Sequence, residues 1–174
     1  MKIIFFGDVF GKPGRKALTA FLPFYIKNNN PDFIIANCEN AADGRGITEQ
    51  SAREIFNAGV DACTSGNHLW DRKEGIPVIL NNTNIVKPLN YPKSAPGTSF
   101  SVLKKENKEL LIACICGQSF MNPVDSPFFK LDEYLPEFHN LTHNILIDFH
   151  AESTAEKRTL GFYFDGKISA MLGT

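Results

Sequence analysis

A small set of polar side chains sits where apolar runs end. Asp8 follows Lys2–Gly7, Glu39 and Asn40 follow the run closing at Cys38, Asn67 and His68 follow Ala62–Gly66, and His150 follows Asn144–Phe149. Carboxylate oxygens, amide oxygens and imidazole nitrogens in one set suit a hard or borderline divalent cation. Glu39 beside Asn40 offers two oxygens that can chelate or bridge, Asn67 offers another, and the adjacent His68 is free for proton transfer. Taken singly, each has an ordinary reading as well. Asp8 is equally a turn or capping residue, Glu39-Asn40 a solvated loop, Gly66-Asn67-His68 a hydrogen-bonded turn with Trp70 packed nearby, and His150 a satisfied structural group. His139 and His143 lie in a polar stretch without such company and are read as solvated.

The elements that must position these residues alternate in type. Runs rich in Ile, Val and Phe are separated by longer amphipathic segments, the pattern of an α/β protein. Strands are expected at Lys2–Phe6, Phe33–Asn37, Ala62–Ser65 and Asn144–Phe149, with a helix over Arg15–Asn29 kinked at Pro23. A second helix should start from Thr48 as N-cap and stop at Gly59. Pro77–Pro96 reads as mostly loop with a short strand near Ile85–Lys87. Ser99–Lys104 and Leu110–Cys116 read as a hairpin with a five-residue connection, and Leu131–Phe138 as a weak helix. After a short helical segment from Ser153 or Thr154, two strands, Gly161–Phe164 and Ile168–Leu172, are expected about a turn at Asp165-Gly166. In an open α/β sheet ligands bind beyond the carboxyl ends of the strands, so the scattered polar residues are placed to converge there.

Composition narrows the function classes. The chain has 174 residues, 43% hydrophobic and 21% charged, enough for one sizeable core and one domain. With 18 Lys and Arg against 19 Asp and Glu, it has no global field to gather nucleic acid or an anionic membrane. Apolar stretches are strand-sized, and the first runs into Gly7-Asp8 without a cleavage region, so a cytoplasmic location without membrane association is expected. Cys38, Cys63, Cys114 and Cys116 form no C-x-x-C pair, which favours buried thiols over a thiolate metal site. Gly7 to Lys12 has three residues between its glycines and Pro13 after the lysine, so it is no phosphate loop. Gly44-Arg45-Gly46 has Glu49 where a dinucleotide site needs its third glycine.

The spaced set Gly7-Asp8, Asn37 to Ala42 (NCENAA), Gly66 to Asp71 (GNHLWD) and Asp148 to Glu152 (DFHAE) resembles the calcineurin-like metallophosphoesterases. More narrowly it is similar to the YmdB-type branch, described as 2',3'-cyclic-nucleotide 2'-phosphodiesterases. Phe10 stands where most metallophosphoesterases carry a histidine, a departure that branch shares. The resemblance implies a two-layer β-sandwich flanked by helices. It also implies two divalent ions, with manganese and iron both suited to the donors. Asp8, Glu39 and Asn40 would serve one ion and Glu39, Asn67 and His150 the other, with Glu39 bridging. A bridging hydroxide would attack phosphorus and His68 would protonate the departing ribose oxygen. The charges would then leave an excess of about one positive charge, which suits a singly charged phosphodiester.

The family pattern continues with a Gly-His-Thr-His type motif supplying one histidine to each metal, whereas this sequence reaches Leu172-Gly173-Thr174. The sequence therefore reads as the N-terminal part of a longer pattern, a fold incomplete at its C-terminal end and impaired in catalysis. Two competing readings stand beside it: a non-catalytic binding or regulatory remnant, and a phosphomonoesterase or nuclease using the same ligands. The expected partner is a small phosphodiester, with RNA a further substrate to assay. An exposed sheet edge is compatible with homo-oligomers.

Overall fold

The computed structural model describes all residues, Met1–Thr174. Three parallel strands, β1 (Ile3–Phe6), β2 (Phe33–Asn37) and β3 (Ala62–Thr64), form one sheet in that order. The helices α1 (Gly11–Asn29) and α2 (Glu49–Asn57) make its crossovers. A second sheet pairs β4 (Phe100–Lys105) antiparallel with β5 (Lys108–Cys116). It continues in parallel to β6 (Ile145–His150) and β7 (Ala170–Gly173), with α4 (Pro127–Leu141) and α5 (Thr154–Tyr163) as crossovers. A short α3 (Ile76–Asn81) packs against the first sheet's helical layer.

Strand periodicity sorts the side chains into three cores. On β2, Ile34 and Ala36 face Leu18, Leu22 and Ile55 of the helices, while Phe33 and Ile35 face the other sheet. On β5, Leu111, Ala113 and Ile115 meet α4, while Leu110, Ile112 and Cys114 meet the first sheet. Both central strands are therefore apolar on both faces, which is why they read as continuous runs rather than alternating ones. The outcome is helices, sheet, sheet, helices, as the sequence implied. No helix is long and apolar enough to cross a membrane.

Several local expectations need correction. Helix α1 begins four residues before the expected Arg15, because Pro13 fits a first turn where its missing N–H is not needed. It runs through Pro23, as the expected span does, and Pro23 lies on the exposed face, where water can satisfy the carbonyl that proline frees. Thr48 caps α2 as expected, and Ser51 completes a reciprocal cap. Pro77 lies in the first turn of α3 rather than in loop, for the same reason as Pro13. The hairpin turn is two residues, Glu106-Asn107, with Glu106 at φ 52°, not five. His139 and His143 are exposed, as expected, and His139, in the last turn of α4, also donates its Nε2–H to the Lys167 carbonyl at 2.8 Å.

The largest correction is at the end. Gly161–Phe164, expected as a strand, closes α5, and β7 joins β6 in parallel instead of forming a hairpin. Ser153 caps the helix, and Leu160 and Phe164, four residues apart, both turn into the core with 0% exposure. Gly161 meets nothing within 4 Å of an added Cβ, so it stands on the open side, where its cost of about 1 kcal/mol is tolerated.

Candidate metal centre

The parallel ladders place four strand ends at one edge of the sandwich. Asn37 of β2 pairs with Thr64 of β3, and Cys116 of β5 with His150 of β6. The ladder persists just past the strands, with Val9 N–H donating to Asn37 O (2.9 Å) and Cys38 N–H to Thr64 O (3.0 Å). Asp8, Glu39, Asn40, Asn67 and His68 thus leave their strands from registered positions. His150 is the last residue of its strand. By period two it shares the inter-sheet face with Leu146 and Asp148.

Ligand atoms of Asp8, Glu39 and His150 lie within 4.8 Å of one another. Glu39, buried at 0% exposure, is the centre of the group. Its Oε1 is 2.9 Å from His150 Nε2 and accepts from Asn40 Nδ2 at 3.3 Å, while its Oε2 accepts the His68 backbone N–H at 2.9 Å. Asn67 Oδ1 lies 3.1 Å from His150 Nε2, and Asn40 Nδ2 donates to Asp8 Oδ2 at 3.0 Å. All five sequence-predicted ligands therefore meet in one place. Gly66 is required for space rather than for its turn: a Cβ there would run into the His150 ring and the Glu39 carboxylate.

The electrostatics mark a place short of positive charge. Burial pushes the Asp8 carboxyl above its ordinary range, with the His150 charge and the Asn40 hydrogen bond opposing. For His150 burial favours the neutral ring, but the hydrogen bond to Glu39 and the charges of Glu39, Asp148 and Asp8 outweigh it and raise its pKa. A proton on Nε2 sits between Glu39 and Asn67, where a cation would serve the same oxygens. The donor set fits a cation: His150 Nδ1–H can donate to Thr174 Oγ1 (3.0 Å), which leaves the Nε2 lone pair facing Glu39 and Asn67. Asn40 presents its amide nitrogen to the carboxylates, and a half-turn of the amide presents the oxygen instead.

His68 stands beside this group. Its Nδ1–H donates to Asp71 Oδ2 at 2.8 Å, and its Nε2 is 3.2 Å from Asn67 Nδ2. Trp70 also fulfils the structural reading of this turn, donating to Pro96 O at 2.9 Å and packing on Tyr91 with ring centroids 4.8 Å apart. A cavity of 630 Å³ opens over the group, with Arg45, Lys157 and Phe120 at its walls.

Sequence reasoning gave no role to Asp148, Asp71 or Thr174. Asp148 is fully buried between the sheets and accepts from Thr64 Oγ1 (2.5 Å), Asn37 Nδ2 (3.0 Å) and Thr174 Oγ1 (2.8 Å). Burial raises its pKa, and these three donors oppose the shift. A charged residue inside an apolar run was the available signal. Its partners, 84 and 111 residues away along the chain, were not.

Two facing sheets between helical layers, with polar residues gathered at the strand ends, define a metallophosphoesterase-like α/β sandwich. The chain belongs to the family described as YmdB-like protein, whose model matches residues 4–174. It is 44% identical over 174 residues to a Bacillus subtilis (strain 168) protein named 2',3'-cyclic-nucleotide 2'-phosphodiesterase, covering 100% of this chain and 66% of the relative. Among solved structures, a hypothetical protein from Thermus thermophilus superposes with a TM-score of 0.93 at 41% identity, over 100% of this chain and 67% of that one. A Mycoplasma pneumoniae structure described as a novel phosphatase gives 0.92 at 32% identity, over 100% and 63%. The chain thus spans about two thirds of the length of these relatives.

Proposed function

We propose that the strand-end group is the reaction centre of a metal-dependent phosphodiester hydrolase acting on 2',3'-cyclic nucleotides. The observation that carries the reading is the convergence of Asp8, Glu39 and His150 within 4.8 Å, with Asn40 and Asn67 against them and His68 alongside. The activity named for the Bacillus relative supplies the substrate class. Asp8, Glu39 and Asn40 would hold one divalent ion and Glu39, Asn67 and His150 a second, with manganese or iron fitting the mixed donors. Such ions, when bound, supply charge neutralisation at the phosphoryl oxygens and a water nucleophile active near neutral pH.

The residues divide the remaining tasks. Glu39 touches both the Asn40 side and the His150 side of the group, the position a bridging carboxylate needs. Asp71 holds Nδ1–H of His68, which fixes the ring and directs Nε2 toward the neighbouring Asn67 and the cavity. As the water oxygen bonds to phosphorus and the bond from phosphorus to O2' breaks, a proton on His68 Nε2 passes to O2'. The proton released from the water can restore it.

Residues 1–174 put a single imidazole among the proposed ligands, so weak metal affinity and slow turnover are part of this reading. The test is hydrolysis of 2',3'-cyclic AMP, adenosine 3'-monophosphate and a short RNA by the purified polypeptide with manganese, with the products separated by chromatography. The expected result is slow release of 3'-AMP from the cyclic substrate, lost in His68→Ala. Hydrolysis of the monophosphate instead would replace the reading with a phosphomonoesterase, and cleavage of RNA alone with a nuclease.

A further inference from the structure

Phe120 is the most exposed of the chain's large apolar residues, at 92%. Its backbone has φ 64°, a left-handed conformation uncommon for a bulky residue and unfavourable by itself. The ring adds nothing to any of the three cores. Its neighbour Met121 has the opposite fate and packs against the core under α4 and α5.

The segment carrying it is tied down on both sides. The Glu156 carboxylate accepts the Gln118 and Ser119 backbone N–H groups at 2.9 and 3.1 Å, and Gln118 Nε2 donates to Val124 O at 2.8 Å. Asn90 Nδ2 donates to Cys116 O and Asp125 O, at 2.7 and 2.9 Å, clamping the two ends of the segment. A strained, exposed aromatic held by that many bonds is a fixed fixture, and it lines the same cavity as Asp8, Glu39 and His150.

That cavity is polar except for Phe120, Met121 and Ala151. A ligand matching it has an anionic end for the polar floor and one flat apolar face for the wall, and 630 Å³ lies within the usual range for a small-molecule site. A nucleotide has that shape and chemistry. We infer that Phe120 is the positioning residue for the nucleobase, presenting its ring as a stacking surface while the strand-end group holds the phosphoryl. The inference rests on the phosphodiester reading of that group. Stacking of this kind tolerates any base, since every base has a π face, so Phe120 selects nucleotides over base-free phosphates rather than one base over another.

The test compares wild-type chain, Phe120→Ala and Phe120→Trp, each with manganese, titrated with 3'-AMP and with glycerol 2-phosphate, a base-free phosphate ester. Phe120→Ala should weaken 3'-AMP by roughly 5- to 100-fold, and leave glycerol 2-phosphate within about twofold. Phe120→Trp should keep nucleotide affinity, and its added emission, read against the Trp70 signal of the wild type, should be quenched by 3'-AMP and not by glycerol 2-phosphate. Unchanged 3'-AMP affinity in Phe120→Ala, or equal weakening of both ligands, overturns the inference and leaves the phosphoryl site standing. Binding of neither ligand by the wild type removes the phosphoryl site, and the inference with it.

Discussion

The two sheets contribute to the strand-end group in different ways. The three-stranded sheet delivers Asp8, Glu39, Asn40, Asn67 and His68 from turns that leave its strands. The four-stranded sheet delivers His150 from within β6, two residues beyond the fully buried Asp148. In the first region the side chains come from three turns of one sheet, joined by Asn40 to Asp8 and by the His68 N–H to Glu39. In the second, the placement depends on Asp148 joining β6 to Asn37 and Thr64 across the sandwich. One half of the site is thus assembled within a single sheet, whereas the other half exists only when both sheets have docked.

Removal of the cross-sheet hub should have the largest effect. Asp148→Ala leaves Asn37, Thr64 and Thr174 with unmet hydrogen bonds in the interior, and should cost about 3 kcal/mol in chemical denaturation. A loss below about 1 kcal/mol would mean that the second sheet positions His150 without it. Next in size is Gly66→Ala, on the first sheet's side. The added methyl must displace the His150 ring or Glu39, so a cost of about 1–3 kcal/mol is expected together with weaker manganese binding. Stability reduced with metal binding intact would show that the turn yields without disturbing the ligands.

The smallest effect concerns the support of the Glu39 turn. Buried Arg15 donates to the carbonyl of Ala41 and through Nε to Glu54 at 2.6 Å. The hydrogen bonds from Arg15 and then Gln50 hold the Glu54 carboxyl below its ordinary value of 4.5. The folded chain therefore binds that proton less tightly than the unfolded chain does. The contribution is present above about pH 4.5 and is lost as pH falls through the lower folded value. Glu54 is partly exposed, so Glu54→Gln should remove under about 1 kcal/mol and flatten that acid limb of the stability profile. An unchanged limb would assign it to other carboxylates.

The same contrast explains what the sequence made legible. Central strands announced themselves because β2 and β5 are buried on both faces, and the polar residues after them stood out against apolar neighbours. Thr48 could be read as a cap because capping is local. The role of Asp148 could not be read, since Asn37 and Thr64 come from the other sheet. The stretch Gly161–Phe164 looked like a strand by composition, yet the burial of Leu160 and Phe164 on one helical face decides otherwise. Phe120 gave no signal either, because an exposed aromatic at a cavity wall is indistinguishable in sequence from one in a core.

In the proposed function Glu39 joins the two halves of a divalent metal site. Calorimetric titration of manganese into the wild-type chain, Glu39→Gln and His68→Ala tests it most directly. Glu39→Gln keeps the side chain's shape but removes the charge, and His68→Ala keeps the backbone N–H that donates to Glu39. Affinity should fall at least about tenfold in Glu39→Gln and remain near that of the wild type in His68→Ala. Equal manganese affinity in Glu39→Gln and the wild type would contradict the account.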